Sequence, residues 1–124
     1  MITPHTGERP VPPLPALWVL ARVTGPSMTP TVRHGDRLLV RRLRDGRARV
    51  GDVVLARFPS RPDLLVVKRV HRVLDRGTVD VRGDNALVTD DSRAYGPAVA
   101  VGRRTDASLI QRCKLLVCIC KTAA

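Results

Sequence analysis

Aromatic side chains are almost missing from this 124-residue chain, which has one tryptophan, one tyrosine and one phenylalanine. Surfaces that hold single-stranded nucleic acid stack bases on aromatics, so here that class is left with charge alone to support it. Cysteine is confined to Cys113, Cys118 and Cys120. Its absence elsewhere excludes a disulfide-stapled framework and fits a reducing, cytoplasmic setting. Long apolar runs are lacking too. The best upstream candidate, Leu14 to Val23, is interrupted by Pro15 and Arg22, and it falls short of the ~20 apolar residues that a spanning helix needs. No transmembrane anchor is expected. Trp18 and the leucines around it suit peripheral contact with a membrane, although burial against the domain is the more economical reading. The N-terminus has no basic start followed by an apolar stretch, so no cleavable export signal is expected either.

Acidic residues are outnumbered by basic ones, 11 to 22, for a formal net charge of +11. Such a balance suits nucleic acid or an anionic surface, and a basic binding module without catalysis is the reading it favours. Yet the positive charge is arginine spread along the chain, as at Arg33, Arg41, Arg57, Arg76 and Arg104. That pattern reads as a solvated basic surface with no specific nucleic-acid partner. The length allows one domain of modest core. Long helical periodicity is missing, whereas short apolar runs at Leu38–Leu43, Val53–Phe58, Leu64–Leu74 and Val79–Arg82, separated by Gly, Pro and Asp turns, predict strands and a mainly β domain. Residues 1–15, with five of the ten prolines, predict an extended or disordered arm. The domain then covers 16–104, and 105–124 form an atypical cysteine-containing tail.

Two residues point to chemistry. If 64–74 is a strand, Lys68 shares its face with Val66 and Val70, while Arg69 and His71 point the other way. A lysine among valines is desolvated, which favours the neutral amine that a general base requires; the alternative is an edge-strand lysine whose stem snorkels to water. Ser27 lies in Val23-Thr-Gly-Pro-Ser-Met-Thr-Pro-Thr31, just ahead of a predicted strand. By composition this is an ordinary turn; with a base nearby it is a rigidly held nucleophile whose backbone N–H forms half of an oxyanion site.

These pieces, in this order, resemble the signal peptidase I superfamily of serine-lysine peptidases. The resemblance runs from about Arg22 to Pro97. It rests on G-x-S-M-x-P-T at Gly25 to Thr31, G-D-x-V at Gly51 to Val54 and V-K-R-V at Val67 to Val70, and on G-D-N at Gly83 to Asn85 followed by Asp91-Ser92-Arg93 and Gly96. The resemblance implies a mainly β, coiled-sheet fold of the signal peptidase/LexA type in a single small domain. It implies a serine endopeptidase, with Ser27 as nucleophile and Lys68 as the base that later protonates the leaving amine. A side-chain oxyanion donor of many bacterial relatives is replaced here by Gly25, which leaves more to backbone donors. Thr89 takes the place of the hydroxyl that orients the lysine. Asp84, Asn85, Asp91, Ser92 and Arg93 are implied as structural support, with Asp91 and Arg93 as an ion pair.

Within the superfamily, the wording Arg61-Pro-Asp-Leu-Leu-Val-Val-Lys-Arg69 is most like that of the nickel-type superoxide dismutase maturation protease. That likeness implies removal of an N-terminal propeptide from a nickel superoxide dismutase precursor in the cytoplasm. The competing expectation is an unanchored signal peptidase I that cuts exported preproteins, with a peripheral place on the membrane. No cofactor and no metal are expected: Asp84, Asp90 and Asp91 read as turn formers, and Cys113, Cys118 and Cys120 have no histidine near them. His5, His34 and His71 are placed no better than Lys68 to act as base. The tail departs from the family pattern after Arg103 and reads as a short buried strand or an altered reading frame.

Overall fold

The computed structural model describes residues 11–43, 47–105 and 119–121. They form a mainly antiparallel β domain, as the apolar runs and the resemblance predicted. The strands are β1 (Trp18–Arg22), β2 (Arg37–Arg42), β3 (Val53–Phe58), β4 (Arg61–Val73), β5 (Thr78–Arg82), β6 (Ala98–Arg104) and β7 (Ile119–Lys121). A 3-10 turn at Asp75–Gly77 and one short helix, α1 (Ser92–Tyr95), complete the elements. The four predicted runs became β2 to β5 with ends shifted by up to three residues.

β3, β4, β5 and β6 pair in sequence, and β6 also pairs back onto β3, which closes a four-stranded ring. The register slips at Leu55/Ala56 between β3 and β6 and at Val70 to Arg72 between β4 and β5, and such irregularities supply the bend that closure needs. From the other edge of β6 the sheet continues through β2 and β1 to β7, which runs parallel to β1. β3 and β4 are therefore buried on both faces. Val53 and Leu55 with Leu65 and Val67 face one core, shared with Val19, Ala21, Val40, Met28 and Val32. Val54, Ala56 and Phe58 with Val66 and Val70 fill the ring, together with Val79, Val81, Ala98 and Ala100.

Of the expected arm, residues 11–15 are described. Leu14 is 1% exposed and belongs to the first core, seated where Gly102 leaves room on β6, since a Cβ there would lie 2.6 Å from Leu14 Cδ1. Proline content marked Val11–Pro15 as extended, which is compatible with packing across a sheet. Residues 1–10 lie outside the described residues, as do Cys113 and Cys118 of the tail; Cys120 lies within β7.

Candidate active site

Ser27 follows β1 in a turn pinned at both ends. The Val23 N–H donates to the Asp36 carbonyl and the Gly35 N–H to the Val23 carbonyl, while Met28 and Val32 anchor the following residues in the core. Gly25 has φ of 83°, a backbone region that side chains disfavour. Its N–H donates to Nδ1 of His34 at 3.0 Å. That contact gives His34, set aside in the sequence reading, a place beside the Ser27 turn. It also removes the Gly25 N–H from the donors free for an oxyanion. The Ser27 N–H makes no hydrogen bond among the described residues, and Ser27 itself is 2% exposed.

The Gly83-Asp84-Asn85 segment clamps this turn from across the molecule. Gly83 approaches so closely that a Cβ would lie 2.5 Å from the Ser27 carbonyl oxygen, which only glycine permits. The Asn85 N–H donates to that same carbonyl at 2.9 Å, and the Asn85 side-chain amide donates to the Pro26 carbonyl and to Thr29 Oγ1, each at 3.1 Å. Thr31 Oγ1 donates to Asp84 at 2.6 Å. Arg69, from the outward face of β4, donates to both oxygens of Asp84 at 2.8 Å and to the Gly51 carbonyl at 2.8 Å. The Arg69 hydrogen bonds hold the Asp84 carboxyl below its ordinary range. One bidentate pair thus ties the serine turn to the residue next to Lys68.

Lys68 stands opposite Val54 on β4 and is 0% exposed. Its neighbours on the same face, Val66 and Val70, line the interior of the ring, as alternation predicted. Burial pushes its pKa down from the ordinary lysine value; the Asp91 and Asp90 charges oppose that shift, and Arg93 adds to it. The Nζ has no hydrogen-bond partner among the described residues, so neither Ser27 nor Thr89 bonds to it in this structure. Thr89 is exposed, and the orienting contact implied for it is not formed. Catalytic hydrogen bonds are commonly long before substrate binds and tighten in the complex.

Asp91, also fully buried, starts α1. It accepts from the Arg93 N–H and Nε at 3.0 Å, from Arg93 Nη2 at 2.7 Å and from the Gly83 N–H at 3.3 Å. Burial alone would raise its pKa, and these donors outweigh burial and lower it. Ser92 Oγ accepts from the Val81 N–H at 2.9 Å, fixing α1 to β5. A cavity of about 420 Å³ adjoins the clamp and is lined by Arg69, Val70, Gly83 and Asp84 among others, but by neither Ser27 nor Lys68. Among the described residues no group of three His, Cys, Asp or Glu is placed to hold a metal ion, and no helix is long and apolar enough to cross a membrane.

The family model described as Peptidase S24-like matches residues 12–96. The chain is 33% identical over 95 residues to mitochondrial inner membrane protease subunit 1 of Xenopus tropicalis, covering 60% of this chain and 57% of that protein. It is 35% identical over 99 residues to mitochondrial ATP-independent inner membrane protease subunit 1a of Arabidopsis thaliana, covering 60% and 59%. The human mitochondrial inner membrane protease subunit 1 is 33% identical over 96 residues, covering 60% and 57%. The match thus spans less than two thirds of the length of these curated relatives. No solved structure matches the chain.

Proposed function

Because the chain belongs to the Peptidase S24-like family, we propose that it is a serine endopeptidase in which Ser27 is the nucleophile and Lys68 the general base. The observation that carries this reading is the Lys68 side chain, wholly buried in an apolar ring with no partner for its Nζ among the described residues. A lysine buried without a partner has no structural gain to offset its desolvation, and burial favours the neutral amine that accepts a proton. On that reading Ser27 Oγ attacks the scissile carbonyl as Lys68 takes its proton. The oxyanion develops beside the Ser27 N–H, which is free of other bonds. The tetrahedral species collapses, the peptide C–N bond breaks, and Lys68 returns the proton to the leaving amine. A water, deprotonated by Lys68, then hydrolyses the acyl-enzyme and restores Ser27.

For the substrate, the wording of residues 61–69 favours the N-terminal propeptide of a nickel superoxide dismutase precursor, and this reading places the enzyme in the cytoplasm. A second reading is favoured by the relatives, all named as inner membrane proteases: cleavage of exported preproteins at a membrane. Mass spectrometry of both kinds of precursor, incubated with wild type, Ser27→Ala and Lys68→Ala, separates them. A single N-terminal cut of the dismutase precursor by wild type alone is expected. Removing the nucleophile is expected to lower the rate on the order of 10⁶-fold. A cut only in the secretory preprotein moves the substrate to the second reading, and cleavage retained by Ser27→Ala overturns the dyad.

A further inference from the structure

Away from the serine turn, at the end of the sheet where β1 begins and β2 and β6 run out, the surface holds a cavity of about 750 Å³. Arg41, Arg42, Arg47, Arg49 and Arg103 line it, with Leu17. Arg41 and Arg103 are direct cross-strand partners, and like charges set opposite one another in a sheet repel. Arg103 reaches one carboxylate, Asp52, at 3.8 Å. The other four guanidinium groups have no carboxylate partner among the described residues. So much uncompensated positive charge in one concavity is stabilised by anions from outside.

The apolar side chains around the cavity decide which anions fit. Leu17, held beside Arg42 by the Arg42 N–H donating to the Leu17 carbonyl at 2.7 Å, is 45% exposed. The half-exposed Trp18 has the Arg41 guanidinium over its ring at 5.5 Å. A soluble anion or an acidic peptide would neutralise the arginines and leave these side chains in water. An anionic bilayer supplies phosphate groups to the arginines and, at the same depth, a headgroup layer in which tryptophan and aliphatic side chains are favoured. We propose that this arginine-lined cavity and its apolar rim are a docking surface for anionic phospholipid membranes. The surface is independent of the assignment of Ser27 and Lys68.

Trp18 is the chain's single tryptophan and reports on the surface through its contact with Arg41. The test titrates the full chain with vesicles of equal parts phosphatidylcholine and phosphatidylglycerol, and with phosphatidylcholine alone, following Trp18 emission and co-sedimentation. Binding to the anionic vesicles with a blue shift of the emission is expected. In the triple variant Arg41→Gln, Arg42→Gln, Arg47→Gln, partitioning is expected to weaken on the order of a hundredfold, from the loss of three cations at the lipid surface. A control triple, Arg33→Gln, Arg37→Gln, Arg72→Gln, removes the same charge elsewhere and is expected to bind nearly as wild type. Leu17→Asp, at an exposed position that tolerates a polar residue, is expected to weaken binding without altering the fold. Equal loss in both triples reduces the effect to net charge and overturns the proposal. So does binding without a change in Trp18 emission. Soluble polyglutamate or inorganic phosphate competing off the vesicles through the same three arginines, with Leu17→Asp silent, would reassign the cavity to a soluble anion.

Discussion

A lysine side chain among Val66, Val70 and the other residues that line the ring costs stability whenever it is charged, and the sign of that cost is testable. In an unfolded chain lysine titrates near ~10.4. In the fold, desolvation lowers the Lys68 pKa. Between those two values the unfolded chain binds one proton more than the folded one, so stability rises with pH across that window. Lys68→Met is accordingly expected to be more stable than wild type at neutral pH, with the gap closing as the pH approaches the ordinary lysine range; denaturant midpoints across a pH series measure it. Peptidase activity is expected to move with the same proton, rising with pH as the amine deprotonates, and a flat profile from neutral to alkaline pH would exclude a lysine base. His34 bears on the same site through Gly25. An Asn side chain can present Oδ1 near where His34 presents Nδ1, so His34→Asn is expected to keep the 3.0 Å bond to the Gly25 N–H and to retain activity. His34→Ala frees the turn and is expected to lose about tenfold in kcat with little change in KM, the worth of one neutral hydrogen bond.

Among the elements, the link from β5 to α1 does most to hold the serine turn, and its glycine is the sharpest point of contact. Gly83→Ala sets a methyl group against the Ser27 backbone. A cost of about 1–3 kcal/mol in stability, typical of overpacking, is expected in chemical denaturation. Because the atom displaced belongs to Ser27, the proposed nucleophile, the fall in activity is expected to exceed that of Asp84→Asn, which loosens the same clamp at the more distant Thr31. The sequence made this element legible only in part. The G-D-N and D-S-R boxes marked the segment, but the partners of Asp84 lie at Thr31 and Arg69, 53 and 15 residues away, and no local pattern announces such pairs. Strands β2 to β5 were legible because their apolar runs are bounded by turn residues. β6 was not, since Ala98-Val-Ala-Val-Gly-Arg-Arg104 is built on small side chains, interrupted by Gly102 and ended by two arginines. The ring closes through β6, so closure had no signature in the run pattern either. The inward face of Lys68 was legible by alternation, because β4 is regular where it pairs with β3 from Leu65 to Arg69. Alternation left an edge-strand lysine open, and the V-K-R-V box was needed to single Lys68 out.

For the molecule as a whole, the two cores share β3 and β4 as a common wall, and the chain enters the outer core before any strand forms. Leu14 packs against the same glycine, Gly102, that Val40 covers from β2, so the N-terminal segment, the outer sheet and the ring meet at one point on β6. Leu14→Ala opens a cavity there and is expected to cost about 2–4 kcal/mol, within the range for buried leucines. Where the loss falls separates two views of the fold. The ring has its own interior of Val54, Phe58, Val66, Val79 and Ala98 and closes without β1 or β2, so it can outlast the outer sheet as a cooperative unit. Hydrogen exchange of Leu14→Ala is therefore expected to lose protection first in β1 and β2, including the Ser27 turn that follows β1, while amides of β4 and β5 hold theirs. Uniform loss across all six strands from β1 to β6 would mean that the shared wall couples both cores into one unit. In that case the serine turn could not loosen without unfolding the ring around Lys68.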